Sequence, residues 1–283
     1  LKILRDAGPR AAARFEREVQ ALAELEHPNT VRVFDYGVTD DGLLYYAMEL
    51  LTGVDLATLV RRAGPLSPAR AVHMVLAASR ALAEAHDKGM VHRDIKPENL
   101  FVASAGGELD FVKVLDFGIV RLEEDGAEAL TQDGHLAGTP TFMAPEVGRG
   151  AEADARSDVY ALGAVLYFLL TGRPPFEGRG TAAMLSAHQT EPVMPPSLRM
   201  DAPLAKDVEE LALRCLAKAP AERPKDAGEL AELLGATSLA GAWDPKLASP
   251  LPDGSDSIAP GAEASTSHPS DDRATRPLRR RRA

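Results

Sequence analysis

The stretch VHRDIKPENL, residues 91–100, brings a carboxylate, an ammonium group and an amide together within one short loop. These groups belong to Asp94, Lys96 and Asn99, and Arg93 directly precedes the aspartate. Phosphoryl transfer requires a positioned acceptor hydroxyl and cations that offset the charge on the transferred oxygens. Asp94 can accept a hydrogen bond from the hydroxyl, and Lys96 can reach the transferred phosphate as a point charge. The stretch therefore predicts a phosphoryl-transfer site.

Metal-binding oxygens accompany this loop. Asn99 offers a neutral side-chain oxygen, and Asp116 in VLDFG, residues 114–118, offers a charged one. Hard oxygen ligands suit Mg²⁺, which usually keeps several waters and takes further ligands from nucleotide phosphates. We expect Asn99 and Asp116 to bind Mg²⁺, with Mn²⁺ as an alternative.

The composition indicates a globular protein that does not bind nucleic acid. The chain has 283 residues, 45% hydrophobic and 26% charged, which is enough for one large or two modest domains. Its net charge of −10 argues against nucleic acid, because such binding depends on basic surface that neutralises phosphates. The single cysteine, Cys215, lies in an apolar helical stretch, so we expect a buried thiol and a reducing, cytoplasmic compartment.

The chain divides into three regions, residues 1–50, 51–235 and 236–283. In the first, residues 10–25 have the apolar spacing of an amphipathic helix, and two strand-like stretches follow. The second contains a long helix with Ser67 as its N-cap and continues mainly as helices. The third is rich in Ser, Pro, Ala, Asp and Gly and has almost no apolar periodicity, which predicts a disordered tail.

Three motifs that follow one another along the chain extend the resemblance beyond a single loop and point to a known family. HRDIKPEN at residues 92–99, DFG at 116–118 and APE at 144–146 resemble the eukaryotic-like serine/threonine protein kinases of bacteria. The resemblance spans residues 1–234. It implies an α+β, bilobal fold with a small β-rich N-lobe and a larger, mainly helical C-lobe. It also implies an enzyme that transfers the γ-phosphoryl group of Mg·ATP to Ser or Thr hydroxyls of proteins, itself included.

The resemblance implies a nucleotide site in the N-lobe. Lys2 falls where the family has the strand lysine that holds the α- and β-phosphates, and Glu18 falls where a helix glutamate pairs with it. The alternatives are a frayed terminal lysine and a solvated helix face. The family's glycine-rich loop precedes this lysine, and nothing like it stands before Lys2. We therefore expect an N-terminally truncated catalytic domain that binds ATP weakly or not at all, and we expect the activity in the longer parent protein.

The stretch LLYYAMELLTG, residues 43–53, and Asp55 shortly after it supply the remaining nucleotide contacts by the same resemblance. Met48 is implied as the gatekeeper, Glu49 to Leu51 as the hinge whose backbone binds adenine, and Asp55 as a neighbour of the ribose. A core methionine and a helix-capping aspartate are the alternatives.

Two positions have regulatory implications in this resemblance. Arg93 is implied to meet a phosphorylated residue of the activation segment, and Thr131 lies where bacterial relatives autophosphorylate. Adding about −1.5 to −2 charges opposite an arginine would order that segment. A plain surface threonine is the alternative for Thr131.

Four further residues are implied to support the site. Thr139 is implied to bond the catalytic aspartate and lysine and to help hold the acceptor peptide. Glu146 is implied to pair with Arg223 in the C-lobe. Asp158 is implied to anchor the backbone of the catalytic loop.

Two rival functions remain open from the sequence. A pseudokinase scaffold would keep the fold without the chemistry, although the intact Asp94, Lys96, Asn99 and Asp116 argue against it. A small-molecule phosphotransferase of the aminoglycoside kinase type shares a catalytic aspartate and a downstream asparagine. Such enzymes lack the APE segment and the helix that begins near DVYALG, so protein substrates are favoured.

The expected partners are ATP, protein substrates and a second copy of the chain for autophosphorylation. The closing RPLRRRRA is either a solvated charge run or the cytoplasmic flank of a membrane span beyond this sequence. We expect a cytoplasmic kinase domain, with membrane attachment through such a span as the second possibility.

Overall fold

The computed structural model describes residues 1–4, 9–39, 42–105, 108–117, 140–178 and 180–248. Within these ranges the chain forms six β-strands and seven α-helices. A small β-rich lobe comes first and a larger, mainly helical lobe follows, as the sequence predicted.

The N-lobe is a three-stranded antiparallel sheet with one helix. Strand β1 spans Lys2–Leu4, helix α1 Pro9–Ala23, strand β2 Val33–Val38 and strand β3 Leu44–Met48. The strand order is β1-β3-β2, so β3 lies in the centre. A central strand has both backbone edges paired, which fixes the direction of its side chains.

Helix α1 packs its apolar stripe against this sheet. Phe15, Val19 and Leu22 recur at helical spacing and are each at most 1% exposed. The ring of Phe15 lies 6.4 Å from that of Tyr46 in β3, and Tyr46 in turn lies opposite Lys2 in the strand register. The helix and the sheet therefore enclose Tyr46 between them.

The C-lobe is built on helices whose ends are signalled in the sequence. The side chain of Ser67 accepts a hydrogen bond from the backbone N–H of Arg70, Pro68 occupies the first helical position, and Gly89 follows the end with φ of 73°. The helices are α2 Leu56–Ala63, α3 Pro68–Asp87, α4 Ala155–Thr171, α5 Thr181–Thr190, α6 Lys206–Cys215 and α7 Ala227–Gly235.

Helix α4 is the buried centre of the C-lobe. It begins with a capping box between Asp154 and Ser157. A side chain at Gly163 would lie 2.4 Å from Cβ of Cys215, so only glycine allows α4 and α6 to approach this closely. Cys215 is 1% exposed, which confirms the predicted buried thiol, and burial raises its pKa to about 12. Among the described helices, none combines the length and apolar character needed to cross a bilayer.

A second antiparallel sheet brings the predicted catalytic motifs together. Strands β4 Gly53–Asp55, β5 Leu100–Ala105 and β6 Glu108–Val114 lie in the order β4-β5-β6. Leu100 at the start of β5 lies opposite Val114 at the end of β6. The loop that ends at residue 99 and the segment that begins at residue 115 therefore meet at one edge of this sheet.

The boundary of the predicted tail needs correction. The sequence predicted disorder from residue 236, but residues 236–248 pack on the C-lobe. The backbone N–H of Ser238 donates to Asp207 Oδ2 at 2.6 Å, and Trp243 Nε1 donates to Asp110 Oδ2 at 2.9 Å. Ala248 is 6% exposed. Specific polar anchors hold this segment although it lacks apolar periodicity, and the predicted tail from residue 249 lies outside the described residues.

Candidate active site

The loop that carries Asp94 is anchored by helix α4. Asp158, in the first turn of α4 and 2% exposed, accepts hydrogen bonds from the backbone N–H groups of His92 at 2.8 Å and Arg93 at 3.0 Å. Its Oδ2 also lies 3.0 Å from His86 Nε2. Hydrogen bonds to an ionised carboxylate are about twice as strong as neutral ones. The structure thus places Asp158 in the supporting position that the resemblance implied.

His92 joins the loop to the segment that carries Asp116. Burial lowers the pKa of His92, so its ring is neutral. Nε2 then donates to the carbonyl oxygen of Leu115 at 2.8 Å, and Nδ1 accepts from the backbone N–H of Asp94 at 3.3 Å. The ring also lies 4.6 Å from that of Phe117. We did not single out His92 from the sequence, although its place in the HRD motif could have signalled a structural role.

The amide and ammonium groups of the opening motif both contact its carboxylate, that of Asp94. The side-chain amide of Asn99 donates to the backbone oxygen of Asp94 at 2.7 Å and to its Oδ2 at 2.9 Å. Lys96 Nζ lies 2.9 Å from the same Oδ2. Within the described ranges Oδ1 of Asp94 accepts no hydrogen bond. The arrangement leaves that oxygen to accept a hydrogen bond from a substrate hydroxyl.

Asn99 and Asp116 have the donor atoms that a magnesium ion would need. Both amide hydrogens of Asn99 are used toward Asp94, so its Oδ1 is the atom left for a cation. The structure as described contains no group of three or more His, Cys, Asp or Glu side chains able to hold a metal. Mg²⁺ in nucleotide sites usually takes only one or two carboxylates, with waters and phosphates completing its shell. The pair therefore fits a Mg²⁺ ion that arrives with a nucleotide.

Asp116 is held by two partners from the N-lobe sheet. Its Oδ1 lies 2.8 Å from Lys2 Nζ and accepts a hydrogen bond from the hydroxyl of Tyr46 at 3.0 Å. Burial, and then the adjacent carboxylate, raise the pKa of Tyr46, so the hydroxyl stays protonated. The resemblance implied Glu18 as the partner of Lys2, whereas the structure brings Lys2 to Asp116. Glu18 lies half-buried on α1, and its pairing with Lys2 remains a prediction.

The predicted hinge follows β3. Met48 ends that strand and packs against the core. The side chain of Glu49 accepts from Lys113 Nζ at 2.6 Å and from the backbone N–H of Arg32 at 2.8 Å, and its own N–H bonds to the Arg32 carbonyl. For the part of the chain described, the N–H of Leu51 makes no backbone hydrogen bond. The Glu49 side chain therefore stabilises the position of the predicted hinge. The Leu51 N–H is available to donate a hydrogen bond to a ligand.

Asp55 is the N-cap of α2. Its carboxylate accepts from the backbone N–H of Thr58 at 2.7 Å and from the hydroxyl of Thr58 at 2.8 Å. The structure thus shows the capping role that the sequence left as an alternative. A contact with ribose remains a prediction.

Glu146 and Arg223 form a buried bidentate pair, as the resemblance implied. The two guanidinium nitrogens lie 2.7 and 2.8 Å from the two carboxylate oxygens, and Ser157 donates to Oε1 at 2.8 Å. Burial raises the pKa of Glu146, but the hydrogen bonds from Arg223 and Ser157 outweigh it and leave the pKa below its ordinary value. The pair fastens the segment from residue 140 onward to the helical lobe.

A cleft runs beside the catalytic loop, between it, the segment around Met143 and helix α4. It is lined chiefly by Asp94, Lys96, Phe142, Met143, Ala144 and Val147. The lining combines apolar side chains with the carboxylate of Asp94 and the ammonium group of Lys96.

Two predicted residues, Thr131 and Thr139, lie outside the described residues. Arg93, the predicted partner of a phosphorylated Thr131, has φ of 68°, and its guanidinium lies 4.0 Å from Glu152. Both side chains of this ion pair are exposed, so Glu152 holds Arg93 only weakly.

The sequence of this chain is similar to those of known protein kinases. Residues 2–234 match the sequence profile of the protein kinase domain family. The chain is 45% identical over 233 residues to the serine/threonine-protein kinase pkn3 of Myxococcus xanthus, covering 80% of this chain and 43% of that protein. It is 40% identical over 220 residues to the serine/threonine-protein kinase PknB of Mycobacterium tuberculosis, covering 77% of this chain and 34% of that protein. The chain thus spans less than half the length of these curated relatives.

Solved structures agree on the fold. The kinase domain of Mycobacterium tuberculosis PknI superposes with a TM-score of 0.61 at 28% identity, covering 83% of this chain and 82% of that one. Rad53 in complex with AMP-PNP superposes with a TM-score of 0.64 at 25% identity, covering 77% of this chain and 53% of that one.

Proposed function

Because the chain belongs to the protein kinase domain family, we propose that the whole protein transfers the γ-phosphoryl group of Mg·ATP to Ser and Thr hydroxyls of proteins, itself included. The observation that carries this proposal is the cluster at Asp94. Its carboxylate is fixed through Oδ2 by Asn99 and Lys96, and the loop directly before it is anchored because the backbone N–H groups of His92 and Arg93 donate to Asp158.

Asp94 orients the acceptor hydroxyl in this mechanism. The hydroxyl donates to the carboxylate, its oxygen attacks the γ-phosphorus, and the bond to ADP breaks in line with the bond that forms. The hydroxyl proton passes to Asp94 late in the transfer. Lys96, 2.9 Å from Asp94, offsets the charge on the transferred oxygens.

Asn99 and Asp116 would hold Mg²⁺, or Mn²⁺ in its place. The metal supplies positive charge that neutralises the phosphates of the nucleotide. The side chains have one task here, which is to present Oδ1 of Asn99 and the second oxygen of Asp116 in a fixed orientation.

The nucleotide is proposed to lie between the lobes. Lys2, whose ammonium group has three N–H donors, would hold the α- and β-phosphates with Glu18 as its partner while it stays paired with Asp116. The backbone of Glu49 and Leu51 would bind adenine. Met48 would lie behind the base as gatekeeper, and Asp55 near the ribose. Two observations support this assignment. Among the described residues the Leu51 N–H makes no backbone hydrogen bond, and Lys2 Nζ lies 2.8 Å from Oδ1 of Asp116, the proposed metal ligand.

Regulation is proposed to act through Arg93 and Thr131. A phosphate on Thr131 would add charge opposite the exposed guanidinium of Arg93, which the weak pair with Glu152 leaves accessible. Thr139 would bond Asp94 and Lys96 and help hold the acceptor peptide. The proposed partners are protein substrates and a second copy of the chain, in the cytoplasm, with membrane attachment through another part of the protein.

Autophosphorylation with site mapping tests this function. The full-length protein is incubated with Mg·ATP, and phosphorylated residues are identified by mass spectrometry in the wild type and in Asp94→Asn. We expect phosphate on Thr131 in the wild type and none in the variant, because the amide cannot take the hydroxyl proton.

The control is Asp201→Asn, which changes an exposed aspartate on the surface of the C-lobe and should leave phosphorylation intact. A wild type that binds nucleotide but transfers no phosphate to itself or to a protein substrate would support a scaffold in place of an enzyme.

A further inference from the structure

Tyr46 is a buried hydroxyl-bearing residue that the mechanism above does not use. It is 1% exposed in the central strand β3, and its hydroxyl lies 3.0 Å from Oδ1 of Asp116. Its ring is already in contact with Phe15 of α1, so packing alone explains the ring but not the hydroxyl. A buried hydroxyl costs free energy unless it is bonded, and here its bond goes to the proposed metal ligand.

The two donors to Asp116 converge on the same oxygen. Lys2 Nζ lies 2.8 Å from Oδ1 and the Tyr46 hydroxyl 3.0 Å from it. A carboxylate oxygen has two lone pairs, so these two donors occupy Oδ1. Among the described residues, none donates to Oδ2. One oxygen is therefore fixed by the protein and the other is presented to whatever binds in front of it.

The register of the sheet explains why both donors reach this oxygen. Lys2 and Tyr46 lie directly opposite each other on β1 and β3, so their side chains point to the same face. Asp116 itself has φ of 52°, a left-handed conformation that is uncommon for a non-glycine residue, although aspartate adopts it more readily than most.

We propose that Tyr46 is a positioning residue for Asp116, which fixes Oδ1 together with Lys2 so that Oδ2 faces the magnesium ion of the bound nucleotide. This inference rests on the proposed function, because it assumes the metal-binding role of Asp116. Outer partners of metal ligands orient the ligand and set its affinity for the metal.

Tyr46→Phe isolates the hydroxyl, because phenylalanine keeps the ring that packs against Phe15. The matched control is Tyr45→Phe in the same strand, since the hydroxyl of Tyr45 lies 3.3 Å from Asp35 Oδ2 on the other face of the sheet. Each variant loses one hydroxyl that donates to an aspartate, and only one of these aspartates is a proposed metal ligand.

The measurement is calorimetric binding of AMP-PNP to the full-length protein over a series of Mg²⁺ concentrations. We expect the half-saturating Mg²⁺ concentration to rise about 10-fold in Tyr46→Phe, the lower end of the range for outer partners, because Lys2 still holds Oδ1. Tyr45→Phe should match the wild type, and both variants should bind AMP-PNP equally without Mg²⁺. Thermal unfolding without ligand verifies that each variant is folded.

Two results would overturn the inference while leaving the proposed function intact. Identical Mg²⁺ dependence in all three proteins would mean that the Tyr46 hydroxyl only finds a hydrogen-bond partner in the protein interior and does not affect metal binding. A lower Mg²⁺ requirement in Tyr46→Phe would mean that Tyr46 competes with the metal for Asp116. If the wild type itself shows no Mg²⁺-dependent binding of AMP-PNP, the proposed function fails and this inference fails with it.

Discussion

Arg223 shows how one buried side chain can fasten a functional segment to the helical lobe. Its side chain is fully buried and donates to both carboxylate oxygens of Glu146. The remaining donors reach the carbonyl oxygens of Ala217, Arg156 and Lys218. A planar guanidinium can satisfy all of these acceptors at once, whereas a lysine ammonium cannot.

We expect Arg223→Lys to lower the free energy of unfolding by about 3 kcal/mol, because it leaves buried carbonyl groups and one carboxylate oxygen without donors. Urea unfolding of both proteins measures this change. The control is Arg214→Lys, whose pair with Glu229 at 3.0 Å is partly exposed and should contribute under about 1 kcal/mol. Equal losses in the two variants would contradict the structural role of the Glu146 pair.

The segment of residues 236–248 shows how a short element can be ordered by polar anchors. Asp110 is 1% exposed and receives hydrogen bonds from Arg70 at 2.7 and 2.8 Å as well as from Trp243. The guanidinium of Arg70 also lies 5.3 Å from the Trp243 ring. Trp243 therefore connects the end of the described chain to β6 and α3.

Trp243→Phe should release this segment without disturbing the rest of the C-lobe. A hydrogen bond to a buried carboxylate contributes about 2 kcal/mol. The free energy needed to detach the segment from the C-lobe should therefore fall by the same amount. Limited trypsin digestion detects it, because Lys246 is exposed and cleavage there should accelerate about 30-fold. Leu247→Ala, which trims a 72% exposed side chain, is the control. Unchanged cleavage at Lys246 in Trp243→Phe would show that other contacts hold the segment.

The same elements indicate which parts of the structure a sequence can predict. Helix α3 was predictable because Ser67, Pro68 and Gly89 are local signals for its ends. The order of residues 236–248 was not, because its anchor Asp110 lies far away in the chain and no local pattern connects it to Trp243. Local signals therefore predict elements, while distant polar contacts do not.

At the scale of the whole molecule, the site depends on both lobes. The catalytic loop and Asp116 meet because β5 and β6 are paired, and Asp116 is then held by Lys2 and Tyr46 of the N-lobe. The motif predicted the grouping of Asp94, Lys96 and Asn99, since all three lie in one short stretch. The contact of Lys2 with Asp116 was not predictable, because it depends on how the two sheets are placed relative to each other.

The central claim is that Asp94 orients the acceptor hydroxyl and accepts its proton during phosphoryl transfer, and does not merely support the fold. Its most direct test compares nucleotide affinity with the single-turnover rate of transfer to a Ser/Thr peptide, for the full-length wild type and Asp94→Asn. We predict unchanged affinity for Mg·AMP-PNP and a rate lower by about 10²- to 10⁴-fold, the range for loss of a general base. A variant that transfers phosphate at the wild-type rate would contradict the claim.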